Sequence, residues 1–156
     1  MSHKKEDIMK EMKVLLVDDE KEFVKSLSER MQLREVQSKV AYGGDEALQT
    51  MNDDLPDVMV LDLKMPGMDG MELLRRTKKA FPGVQIVMLT GHGSKKDEEE
   101  ARRLGAFEYL SKPVSISDLM KTVSAAYQAK FEDVMTAATF AEAGDFETAR
   151  SYAKSK

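Results

Sequence analysis

Two stretches of four apolar residues, Val14-Leu15-Leu16-Val17 and Val58-Met59-Val60-Leu61, run without a polar interruption, and each ends on an aspartate. Four residues are too few for a helix, and a strand with one wet face would alternate. A continuous run fits a strand buried on both faces, as in a parallel sheet held between helices. Three further segments also read as strands: Val36 to Ala41, Val84 to Leu89 and Phe107 to Leu110. Helical patterns separate them. Phe23, Val24, Leu27 and Met31 share one face, as do Ala47, Leu48 and Met51, and then Met71, Leu73 and Leu74. Ser94 caps a charged helix that Gly105 stops near Leu104. Ile116, Leu119, Met120, Val123 and Tyr127 line a fifth helix. Five strands alternating with five helices imply right-handed βαβ crossovers, and so an α/β fold with a five-stranded parallel sheet covered on both sides.

A chain of 156 residues suits one such domain with a small appendage. The absence of cysteine excludes disulfides and thiolate metal sites. A formal net charge of -4 supplies no basic field for nucleic acid, so no direct nucleic-acid binding is expected. No apolar run approaches the roughly 20 residues of a membrane span. The start, Met1-Ser2-His3-Lys4-Lys5, is charged and does not read as a signal peptide, so a cytoplasmic location is expected.

Functional groups of an open parallel sheet gather at the carboxyl ends of its strands. Strand one ends at Asp18 and Asp19, strand three at Asp62, strand four at Thr90, and strand five just before Lys112. Three carboxylates, a hydroxyl and an ammonium thus converge on one edge. Ionising all three carboxylates together is costly unless a cation sits among them. Mg2+ suits the set because it takes oxygen ligands and leaves room for water and phosphate. A carboxylate beside it can act as a nucleophile toward phosphorus, with Lys112 and Thr90 stabilising the phosphoryl oxygens.

Val17-Asp18-Asp19, the run Leu61-Asp62-Leu63-Lys64-Met65-Pro66-Gly67-Met68-Asp69-Gly70, Leu89-Thr90-Gly91 and Ser111-Lys112-Pro113 resemble, in order, the motifs of bacterial two-component response regulators. The resemblance covers roughly residues 12 to 130. It implies a flavodoxin-like (βα)5 receiver fold with strand order 2-1-3-4-5. Asp62 becomes the phosphoacceptor. Asp18, Asp19, Asp62 and the Lys64 backbone carbonyl become the Mg2+ ligands. Lys112 pairs with the phosphoryl group, and Thr90 and Tyr109 form the switch. A cis peptide before Pro113 is also implied. The implied partners are a sensor histidine kinase or phosphotransfer protein and a downstream protein effector, with a homodimer possible. The surface expected to change comprises helix four, strand five and helix five. Such a protein is a regulatory phosphoacceptor, not an enzyme acting on other substrates.

Rival readings are a pseudo-receiver that only binds protein, a haloacid-dehalogenase-type phosphatase and a flavin binder. The phosphatase needs an Asp-x-Asp pair after strand one, where this chain has adjacent acids. The flavin binder needs a Ser/Thr/Gly-rich phosphate loop where Asp18-Asp19-Glu20 would repel phosphate. His92 reads as a loop residue near the site. In the family, the positions of Lys64 and His92 help set how fast the aspartyl phosphate hydrolyses. Met65 and Met68 are open to two readings, core filler or exposed partner contacts. Residues 1–11 form a polar lead-in, 12–130 the receiver and 131–156 a helical extension. In the extension, Gly144-Asp145 marks a helix stop, and the segment around Phe146 and Tyr152 resembles part of a tetratricopeptide repeat.

Overall fold

The computed structural model describes residues 10–142, with side chains described as far as residue 132. The elements follow in strict alternation: β1 (Lys13–Val17), α1 (Lys21–Leu33), β2 (Gln37–Ala41), α2 (Gly44–Asp53), β3 (Val58–Leu61), α3 (Gly70–Ala80), β4 (Gln85–Thr90), α4 (Lys95–Arg103), β5 (Glu108–Ser111) and α5 (Ile116–Glu142). The five strands form one parallel sheet in the order β2-β1-β3-β4-β5. The chain reverses its winding direction between β2 and β3, so the carboxyl ends of β1 and β3 lie side by side.

The period of two along each strand divides the core. Val14, Leu16, Val58, Val60, Val87 and Leu89 face α1 and α5, where they meet Val24, Leu27, Met31, Leu119, Val123 and Tyr127. Leu15, Val17, Met59, Leu61, Ile86 and Met88 face the other three helices and meet Ala47, Met51, Leu73, Leu74 and Ala101. β3 is buried at every position, as its unbroken apolar run requires. β2, at the sheet edge, instead alternates, and exposed Lys39 on it discourages pairing with another strand.

Local signals fix the element ends. Asp69 caps α3 through the Glu72 amide, and Ser94 with Asp97 forms a reciprocal capping box at α4. Gly105 follows α4 with φ of +106°, a conformation that side chains rarely adopt. Lys112-Pro113 is cis, as expected. α5 is continuous through Glu142. The expected stop at Gly144-Asp145 and the repeat-like segment lie outside the described residues, as do residues 1–9.

Candidate functional site

The hydrogen-bond ladder continues one step past the strands and places the site backbone. The Asp18 amide donates to Ala41 O, the Asp62 amide to Val17 O, and the Lys112 amide to Thr90 O. Three residues from three strand ends are thereby held in register. Asp18, Asp62 and Thr90 are all buried, which is unusual for two carboxylates unless they are paired or have chemistry to do.

One carboxylate oxygen from each of Asp18, Glu20 and Asp62 lies within 4.8 Å of the others. Lys112 closes the cluster. Its Nζ donates to Asp18 Oδ2 at 2.7 Å and to Glu20 Oε1 at 3.2 Å. The same ammonium sits 4.3 Å from the centre of the Phe23 ring, whose π face favours a cation. Burial alone would lower the Lys112 pKa. The hydrogen bond to Asp18, the charges of Asp18 and Asp62 and the Glu20 contact outweigh it, so the pKa is raised and the side chain stays cationic.

Asp62 is differently placed. Burial raises its pKa first, and the Asp18 charge raises it further; Lys112, the Thr90 hydroxyl and the Leu63 amide offset only part of this. Its Oδ1 is buried and has no hydrogen-bond partner among the described residues. A buried carboxylate oxygen without a donor is a costly arrangement, and such an atom calls for an explanation.

The Thr90 hydroxyl accepts the His92 amide at 3.2 Å, and its own O–H serves the Asp62 carboxylate, whose pKa it helps to lower. Tyr109, half-buried on β5, has its hydroxyl buried without a partner among the described residues. Burial and then the charges of Asp97, Glu98 and Asp62 raise the pKa of that phenol. Gly70 holds the loop after β3 against the site. Its amide donates to Leu63 O at 2.7 Å, and a Cβ there would meet Leu63 Cα at 2.7 Å.

Asp18, Asp62, Thr90 and Lys112 therefore come together as expected from their strand ends. Asp19 is half-buried and is not one of the three clustered carboxylates; Glu20 stands there instead. Sequence reasoning treated Glu20 only as a repeller of phosphate. Its side chain is exposed, but its amide donates to Asp18 Oδ1 at 2.9 Å and its carboxylate reaches Lys112. An acid two residues after a strand-end aspartate was the available signal. Lys64 and His92 are exposed. Met65 is buried and Met68 packs beside Gly44, so both serve the core and neither is an exposed contact.

The sequence profile of the response regulator receiver domain matches residues 14–124. The chain belongs to this family. It is 34% identical over 128 residues to the transcriptional regulatory protein GlrR of Escherichia coli, a match covering 82% of this chain and 28% of that protein. The receiver thus spans under a third of the length of this curated relative. Among solved structures it resembles a CheY-like receiver domain from Methanospirillum hungatei, with a TM-score of 0.75 and 25% identity over 78% of this chain and 98% of that one. It also resembles NtrX from Brucella abortus, with a TM-score of 0.78 and 26% identity over 85% of this chain and 30% of the other. Among the described residues, no helix of the receiver is long and apolar enough to cross a membrane.

Proposed function

We propose that Asp62 accepts a phosphoryl group from a phosphohistidine on a sensor histidine kinase or phosphotransfer protein. One observation carries the reading: a buried carboxylate at a strand end, with Oδ1 unpartnered, faces two further carboxylates and an ammonium. The donor set consists of hard oxygen atoms, which fits Mg2+. Asp18 and Asp62 would hold it, joined by Glu20 or by Asp19 and by the Lys64 carbonyl that the family resemblance assigns. When bound, the ion neutralises charge on the carboxylates and on the phosphoryl oxygens.

In the transfer, an Asp62 carboxylate oxygen attacks phosphorus and forms the P–O bond. The P–N bond to the donor histidine breaks, and the departing imidazole keeps the electron pair and takes up a proton. Lys112 then exchanges a carboxylate partner for a phosphoryl oxygen, a short move for an ammonium already within 2.7 Å of Asp18. The Thr90 hydroxyl, already beside the Asp62 carboxylate, donates its proton to a second phosphoryl oxygen. Hydrolysis of the aspartyl phosphate resets the site, and exposed Lys64 and His92 slow it by obstructing the attacking water. Loading shifts an existing equilibrium at the α4-β5-α5 face, which a downstream protein effector reads. The setting is cytoplasmic.

Intact-mass measurement with acetyl phosphate and Mg2+ tests this. One added phosphoryl group is expected, absent in Asp62→Asn and absent without the metal. No gain of mass in the wild type would reject the proposal.

A further inference from the structure

Gly93, two residues beyond the Gly91 of the site motif, occupies a position with no room for a side chain. A Cβ there would meet Tyr109 Cζ at 2.7 Å and Thr90 Cγ2 at 3.0 Å, and would collide outright with the Tyr109 hydroxyl. Gly67 and Gly105 have positive φ, but Gly93 does not, so no left-handed backbone requires glycine there. Space, not conformation, requires glycine at this point. The space is filled by a phenol whose hydroxyl is buried and unpartnered among the described residues, and such a group gains hydrogen bonds by swinging out to water. The inward position of Tyr109 is therefore not held by a hydrogen bond. It exists because nothing projects from Gly93.

We infer that Gly93 is the positioning residue that admits Tyr109 to its buried place against Thr90, and so sets whether the phosphorylation site is coupled to the β5 surface. The inference rests on the proposed function for the meaning of the coupling, though its steric part stands without it. Adding one methyl group at residue 93 excludes the inward phenol while leaving Asp62, Lys112 and the carboxylates untouched. The site then loads but Tyr109 stays outside.

The test uses the whole chain labelled with ring-13C tyrosine, with the Tyr109 signal assigned by its loss in Tyr109→Phe. Exposure is read as relaxation by a soluble paramagnetic agent, before and after beryllofluoride with Mg2+. Wild-type Tyr109 should be shielded. In Gly93→Ala its relaxation should rise several-fold and stay high after beryllofluoride, while 19F resonances show the fluoride complex bound. Equal shielding in the two proteins would overturn the inference. A second arm compares urea midpoints: Gly93→Ala should lower the midpoint clearly more when tyrosine is present than in a Tyr109→Ala background, where only the Thr90 contact remains. An equal loss in both backgrounds would also overturn it. If wild type fails to bind beryllofluoride, the phosphoacceptor reading falls, and the two steric arms still decide the role of Gly93.

Discussion

Asp62→Asn should make the metal-free protein more stable, although it removes the central residue of the site. The reasoning is electrostatic. At an effective dielectric constant of about 20, two unit charges 4.8 Å apart, the span of the carboxylate cluster, repel by about 3.5 kcal/mol. Lys112 returns part of this, and the unpartnered Oδ1 adds desolvation, so a net gain of about 2 kcal/mol is expected for asparagine. For a chain of this size that corresponds to about 5 °C in Tm. The pH dependence follows from the raised pKa of Asp62. A raised folded-state value means that the native state binds the proton more tightly than the unfolded chain does. Below the unfolded value, near about 4, Asp62 is protonated in both states and the variants should coincide. As pH rises through the interval up to the folded value, wild type loses stability and the advantage of asparagine grows to its plateau. Urea unfolding in chelator at a series of pH values measures it. An Asp62→Asn protein no more stable than wild type at pH 7, or an advantage independent of pH, would refute the argument.

Mg2+ should reverse that ranking: at about 100 times its Kd it stabilises wild type by about 2.7 kcal/mol, and calorimetry should show little effect on Asp62→Asn. Lys112→Ala leaves Asp18 buried without its cation and should cost about 3 kcal/mol in urea unfolding. Glu20→Gln alters an exposed carboxylate and should change stability by less than about 0.5 kcal/mol, yet weaken Mg2+ binding measured by calorimetric titration. Gly70→Ala forces a methyl against Leu63 and should cost about 3 kcal/mol, with a lowered Tm. A Lys64→Ala/His92→Ala double variant should lose its phosphoryl group faster than wild type when phosphorylated protein is followed by mass; equal rates would count against their shielding role.

Much of this was legible from the chain alone because burial on both faces leaves a local mark. Val58 to Leu61 had to be a central strand, and once the strands alternate with helices their carboxyl ends have to share one edge. Asp18, Asp62, Thr90 and Lys112 were found by that rule, and the order of the motifs supplied the family. Contacts between elements left no such mark. That Glu20 and not Asp19 joins the cluster goes with its contact to Lys112, which follows β5, 92 residues beyond it. Met65 was open to two readings, core filler or exposed contact, and only the fold of its loop shows it buried. The role of Gly93 left no mark in the sequence, since a glycine in sequence does not say whether it serves conformation or space. Only the placement of the Tyr109 phenol, fixed by pairing β5 with β4, shows that it is space. Pattern along the chain reports how a residue meets solvent, whereas which side chains meet one another is decided by strand register and packing.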